Sequence, residues 1–203
     1  MVDGFEKDAW EQHWRSALGA GTLDAPNPYL AEEIAGLPPG TALDAGCGTG
    51  ADAVWLAERG WTVTGVDIAP SALTAAADRA ARGGVSVHWI EADLTTWAPV
   101  AAFDLVLTSY AHASIPQLEL YRRVAEWVAP GGTLLIVGHS GHPHAAGDGH
   151  QPPDGSTVTL ADVTALFAHP AWRVDTAHEG AGVVAGHPVR HHDVLVRAGR
   201  VPA

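Results

Sequence analysis

The sequence predicts a single α/β domain built on a doubly wound sheet, and three observations carry the prediction. Short apolar segments, several rich in β-branched residues, alternate with helical stretches over most of the chain. Such alternation is the pattern of βαβ units, whose strands lie parallel in one sheet with helices on its faces. The first apolar segment runs into three glycines at alternate positions, Gly46, Gly48 and Gly50, and then into a helical stretch. A strand turning into a helix through a loop of this kind is where open α/β sheets bind nucleotide-like ligands. Finally, 203 residues with a hydrophobic fraction of 47% suffice for one substantial core, and no internal repeat divides them.

The elements follow in order. Trp10 and Trp14 stand four residues apart, on one face of an N-terminal helix. Strands are expected at 41–45, 62–66, 85–90, 103–109 and 133–138, with helices near 50–59, 71–82 and 116–129. Pro70-Ser71 suits a helix start with Ser71 as N-cap. Leu120, Val124, Trp127 and Val128 make one apolar stripe on the third of these helices. The segment 139–155 is rich in glycine, proline and histidine, which excludes regular structure and suggests a lid or binding loop. A helix over 160–168 and strands at 172–176 and 189–197 complete the chain. The organisation is then one domain, 1–203, with a helical cover at 1–36, a ligand-binding core at 37–140, and a loop plus terminal strands at 141–203.

The glycine loop alone leaves two ligands open. Gly46, Gly48 and Ala51 fit the G-x-G-x-x-G/A spacing of dinucleotide folds, whereas Gly46, Gly48 and Gly50 fit G-x-G-x-G. Asp67, ending the second strand, serves either, since a carboxylate there accepts both ribose hydroxyls. Three features separate the readings. Asp44 stands two residues before Gly46, where dehydrogenases carry an apolar residue. Glu91-Ala92-Asp93-Leu94 closes a third strand, and Pro130-Gly131-Gly132 turns the chain into a fifth. As an ordered set over residues 37 to 140 these resemble the class I S-adenosyl-L-methionine (SAM) methyltransferases. A looser similarity to small bacterial enzymes of the tellurite-resistance and thiopurine type extends into the tryptophan-bearing N-terminus. The resemblance implies a Rossmann-like, mostly parallel sheet with an antiparallel last strand. It implies SAM as cofactor, with Gly46, Gly48 and Gly50 at its amino-acid end, Asp67 and Ile68 at the ribose, and Asp93 and Leu94 at the adenine. Asp44 belongs to the same set, with a carboxylate suited to anchoring the loop through backbone hydrogen bonds.

Methyl transfer from a sulfonium needs alignment and exclusion of water more than it needs a catalytic residue. If the acceptor carries a proton, a base at hydrogen-bond distance helps. The rims of the fourth and fifth strands carry His112 and His139, imidazoles that titrate near neutral pH, as candidate base or orienting groups. Tyr110, Trp14 and Arg15 are candidate acceptor contacts. Each also has a plain structural alternative as a packed or exposed side chain. The twelve histidines invite a metal, but Gly-His-Pro-His in a flexible loop lacks the fixed spacing of a zinc site, and none is expected.

A net charge of −12 argues against nucleic acid and against an anionic membrane surface. The Thr108-Ser-Tyr-Ala segment also lacks the Asn/Asp-Pro-Pro-aromatic motif of methyltransferases that modify base amino groups. The partner is therefore a small-molecule acceptor. Cys47 is the single cysteine, Met1–Asp8 carries no signal peptide, and a cytoplasmic location is expected. Nothing in the sequence sets an oligomeric state. The competing readings are an NAD-dependent oxidoreductase, and a SAM- or metal-responsive binding protein without turnover. Lys7 is the only lysine, so the first cannot use a Tyr-x-x-x-Lys hydride-transfer set.

Overall fold

A computed structural model describes residues 6–20, 25–141, 155–183 and 190–202. One eight-stranded sheet organises them, in the order β3-β2-β1-β4-β5-β8-β7, with the short β6 beside β5. Strands β1 (Thr41–Ala45), β2 (Thr62–Asp67), β3 (His88–Glu91), β4 (Phe103–Ser109) and β5 (Val128–Ser140) run parallel, as does β6 (Thr157–Val158). β8 (Arg190–Arg200) is antiparallel both to β5 and to its other neighbour, β7 (Trp172–Val183). The expected architecture of a mostly parallel sheet with an antiparallel last strand is the one observed.

Alternation along the strands explains the two cores. Val106, Leu134, Ile136, Val194 and Val196 face α5 (Gln117–Ala125) and α6 (Leu160–Ala165), packing on Leu120, Tyr121, Val124 and Phe167. Their neighbours Leu105, Leu107, Leu135, Val137 and Leu195 face the other way, against Leu30 and Ile34 of α2 (Leu30–Ile34) and Ala53 and Leu56 of α3 (Ala51–Ala57). A sheet buried on both faces needs apolar residues of both parities, hence the continuous runs in β4 and β5. α4 (Pro70–Gly83) buries Ala72, Ala76 and Ala80 at a spacing of four, and α1 (Lys7–Ala20) packs on α4.

Three local expectations differ. The helix read over 116–129 stops at Ala125, and Val128 already pairs with Phe103 in the sheet. Trp127 and Val128 are buried as the apolar stripe requires, yet they belong to the strand entry. Pro130-Gly131-Gly132 is a bulge inside β5: Phe103 pairs with Val128 and Leu105 with Thr133, so residues 129–132 loop out opposite Asp104. Gly131 there has φ 81°. Ser71 does not cap α4. Ala69 is the N-cap residue and Pro70 takes the first turn, while the Ser71 N–H and hydroxyl both donate to Glu11 of α1. Residues 142–154, most of the histidine-rich segment, and His187 lie outside the described residues, as does the lid expected there.

Candidate active site

The site lies beyond the carboxyl ends of the parallel strands and has two ends. At the first, the loop from β1 to α3 is pinned to β2 by Gly46 N–H and Cys47 N–H, which donate to Val66 O at 2.8 and 3.0 Å. Gly46, Gly48 and Gly50 all adopt positive φ, 82°, 51° and 74°. Space adds a second demand at all three, since a Cβ on Gly50 would stand 2.6 Å from the Trp89 ring. A Cβ on Gly46 would stand 2.3 Å from Ala111 Cβ, and one on Gly48 2.6 Å from the Trp14 ring. Trp14 thus lies directly on the loop backbone.

Three buried carboxylates surround this loop. Asp67 Oδ2 accepts from Gly48 N–H at 2.8 Å and its Oδ1 from Ala69 N–H at 2.9 Å, tying the two strand ends together. Asp67 thus holds the glycine loop from the β2 side, together with Val66 O. Asp44 instead accepts a hydrogen bond from the Ala53 N–H in the first turn of α3. Its Oδ2 is buried without a hydrogen-bond partner among the described residues, and the residue is 2% exposed. Burial, reinforced by the charges of Asp52 and Asp67, pushes the Asp44 carboxyl well above its ordinary range. Asp52 accepts from Asn27 N–H at 2.6 Å and from the Ser109 hydroxyl at 3.0 Å, fastening the segment before α2 to the rim; burial raises it too. Carboxylates gathered in so dry a place call for a cation, and an orphaned oxygen calls for a donor. The ammonium and sulfonium of SAM supply both, so the residues present fit that cofactor.

The adenine-side candidates sit after β3. Asp93 Oδ1 accepts from Thr95 N–H at 2.8 Å and its carbonyl from Trp97 N–H, closing a turn. Arg123 of α5 fixes the same turn, donating to Leu94 O and Trp97 O at 2.6 and 2.8 Å. Leu94 is buried, 3.9 Å from where a Gly46 Cβ would stand, and Ile68 is half-buried beside Asp67.

The second end is a column of rings. Trp10 of α1 lies over His112 (centroids 6.3 Å apart, planes at 21°), His112 over His139 (5.5 Å, 25°), and His139 against Tyr110 (4.8 Å, 32°). Both candidate histidines and Tyr110 thus meet in one crevice, although 27 residues separate His112 from His139. Tyr110 holds φ 54°, the one non-glycine residue at positive φ among the described residues, with its N–H on Val137 O. Such a conformation costs about 1–3 kcal/mol and persists only where its surroundings demand it. Gln117 Nε2 donates to Ala111 O, which leaves its Oε1 to accept from His112 Nδ1 at 3.0 Å. That assigns the proton to Nδ1 and makes Nε2 the basic nitrogen. Burial lowers the His112 pKa, so the ring is neutral at pH 7.

Sequence reasoning missed two members of this end. Gln117 carries no distinctive signal. Asp193 of β8 does: it is an acid directly before the buried apolar run Val194-Leu195-Val196, and it is 2% exposed. Its carboxylate accepts from the Tyr29 hydroxyl at 3.2 Å and from Tyr110. Burial and Asp193 together push Tyr29 up to about 12 and raise Tyr110 further. Arg15 has no part here: its guanidinium is exposed and paired with Glu11 at 2.9 Å. Lys7 pairs with Glu91, and these bonds, with Glu11 on Ser71, latch α1 across the site. Among the described residues no group of histidines and acids has a metal-binding arrangement.

A family model for the methyltransferase domain matches residues 42–132, the span from β1 through the β5 bulge. The ribosomal RNA small subunit methyltransferase C of Alcanivorax borkumensis is 34% identical over 134 residues, covering 61% of this chain and 41% of that protein. A probable thiol methyltransferase 2 of Arabidopsis thaliana is 30% identical over 135 residues, covering 63% and 60%. The chain thus spans less than two thirds of either relative. A solved structure concerned with conversion of a disulfide bond into a thioacetal group during echinomycin biosynthesis is 30% identical, with a TM-score of 0.67 over 87% of this chain and 83% of the other. Similar folds are solved with SAM or S-adenosylhomocysteine bound. The chain belongs to the class I SAM-dependent methyltransferases.

Proposed function

We propose that the protein methylates a small-molecule acceptor, with sulfur as the first candidate atom. The observation that carries this reading is the ring column Trp10–His112–His139–Tyr110, which begins where Ala111 meets the glycine loop. Bound SAM supplies a methyl group already activated by its positive sulfur. The chain's own residues then have four tasks. Asp67 holds the ribose hydroxyls and Asp44 Oδ2 takes the ammonium. Asp93 and Leu94 border the adenine. α1, through Trp10 and Trp14, keeps water from the reacting atoms. His112 and His139 orient the acceptor and take its proton, if it has one.

The relatives named for thiol and disulfide substrates support a sulfur acceptor. One relative is named for ribosomal RNA, but the charge of −12 and the Thr108-Ser-Tyr-Ala segment support a small molecule instead. No helix among the described residues is long and apolar enough to cross a membrane, and we place the enzyme in the cytoplasm. Calorimetric titration with SAM and S-adenosylhomocysteine, with NAD as control, tests the reading. Micromolar binding of the first two alone is expected, followed by S-adenosylhomocysteine release with a thiol acceptor. SAM binding with no turnover across thiols, phenols and amines would favour a non-catalytic binding protein.

A further inference from the structure

Arg123 is a half-buried cation of α5 that reaches away from its own helix to a segment 29 residues earlier in the chain. Its Nε donates to Leu94 O at 2.6 Å and its Nη2 to Trp97 O at 2.8 Å. The turn it meets directs its own donors inward. Asp93 O accepts from Thr96 N–H and Trp97 N–H at 3.1 and 2.8 Å, and Asp93 Oδ1 accepts from Thr95 N–H at 2.8 Å. The N–H groups converge on Asp93, so the carbonyls of Leu94 and Trp97 take their donors from another element. A guanidinium offers donors in a planar fork that serves two acceptors at once, whereas an ammonium is a point charge.

The guanidinium is itself held. It lies over the Trp127 ring, 5.8 Å from the centroid, and Trp127 meets Trp97 edge to face at 5.3 Å. Its effect reaches the cofactor end through two side chains. Leu94 is buried, with Cδ1 3.9 Å from where a Gly46 Cβ would stand, so holding its carbonyl fixes its approach to the glycine loop. Asp93 commits Oδ1 to Thr95 N–H, so Oδ2 is the oxygen it can offer to an amine of a ligand. Helix α5 thereby serves both ends of the crevice: Gln117 in its first turn holds Ala111 O, and Arg123 in its last turn holds the turn after β3.

We propose that Arg123 is the positioning residue of the adenine subsite: through Leu94 O and Trp97 O it fixes the Asp93 carboxylate for the 6-amino group, and so sets the choice of adenine over a 6-oxopurine. The proposal rests on the methyltransferase reading and on the assignment of Asp93 to the adenine amine. An amine donates to the carboxylate; a 6-oxo group sets acceptor against acceptor and leaves both unsatisfied. A carboxylate free to swing away escapes that clash, so loss of the clamp weakens the amino ligand more than the oxo ligand. Arg123 makes and breaks no bond of the reaction, and its effect is on binding alone.

The test is calorimetric titration of wild type and Arg123→Met with S-adenosylhomocysteine and with S-inosylhomocysteine, its 6-oxo counterpart, alongside thermal unfolding of the free proteins. Wild type should prefer the amino ligand by about tenfold or more. Arg123→Met should lower that preference by about fivefold or more, mainly through weaker binding of S-adenosylhomocysteine. A role in folding alone weakens both ligands by the same factor, so an unchanged ratio overturns the proposal even where the melting temperature falls. Should Arg123→Met not fold, Arg123→Lys replaces it: it keeps the charge over Trp127 without the planar fork, and the ratio must still fall by about twofold or more. A ratio equal to that of the wild type has the same consequence. A wild type that binds both ligands equally removes the Asp93 assignment and the proposal with it. A wild type that binds neither is a different result, and it overturns the methyltransferase reading and this proposal together.

Discussion

The two ends of the crevice are built by opposite means. The cofactor end comes from short stretches of consecutive chain: Asp44 to Asp52, Val66 to Ala69, and Asp93 to Trp97, each at the close of a neighbouring parallel strand. Its side chains are acids and its donors are backbone N–H groups. The acceptor end takes single side chains from α1, the residue before α2, the turn after β4, α5, β5 and β8, spread from Trp10 to Asp193, and its surfaces are mostly rings. The first end is therefore a device of local backbone geometry, and the second a pocket assembled from side chains distant in sequence. Fold and acceptor choice are separable for this reason.

Four substitutions sharpen that contrast, from the largest effect to the smallest. Asp67→Ala removes the carboxylate that holds the Gly48 N–H and is proposed to hold the ribose, and SAM affinity should fall more than about 100-fold by calorimetry (two hydrogen bonds to a charged group at ~1.5–3 kcal/mol each). Retained affinity would break the assignment of the cofactor end. Gly48→Ala forces a Cβ into the Trp14 ring at φ 51°. Thermal unfolding should show a loss of about 2–3 kcal/mol, and an unchanged midpoint would show that α1 does not rest on the loop.

Asp44→Asn tests the electrostatics of the same end. The folded-state pKa of Asp44 is raised, so its contribution to stability is present below the unfolded value near 4 and is lost as pH rises through the folded one. Between pH 4 and 8 the ligand-free wild type should lose more melting temperature than Asp44→Asn. SAM should restore more in the wild type, because its cation compensates a charge the variant lacks. Equal pH profiles would mean that Asp44 is not the strained group.

The smallest effect belongs to the acceptor end. Burial lowers the His112 pKa below 6.5, opposed by the Gln117 hydrogen bond. Its imidazole resonance should titrate below that value, and Gln117→Leu should lower it further by removing the opposing bond. As the folded pKa lies below the unfolded one, stability falls as pH drops through 6.5 toward the folded value. A midpoint in the ordinary range would mean the ring is hydrated rather than buried.

How far the sequence reached follows the same division. Gly46, Gly48, Gly50 and Asp67 were readable because the glycine spacing and a strand-end acid are local signals. Asp44 was readable as a member of the set, but nothing local decides that its backbone donor is Ala53 while Gly48 N–H goes to Asp67. The helix end at Ala125 was hidden for another reason: Trp127 and Val128 continue a helical stripe by periodicity, and only pairing with Phe103 draws them into the sheet. Ser71 reads locally as a cap, but Ala69 takes the cap position and Glu11, sixty residues away, accepts the Ser71 N–H and hydroxyl.

The sequence by itself determined the alternation of strands and helices, the strand-end positions of the glycine loop and its acids, and the presence of histidines at two rims. These follow from side-chain periodicity and from backbone conformations that only glycine adopts cheaply. The tertiary structure alone decided that Trp10, His112, His139 and Tyr110 form one column, and that Asp193 stands opposite His139. Sheet order and register place those contacts, and register is an energy of the whole packed sheet, to which no single segment holds the key.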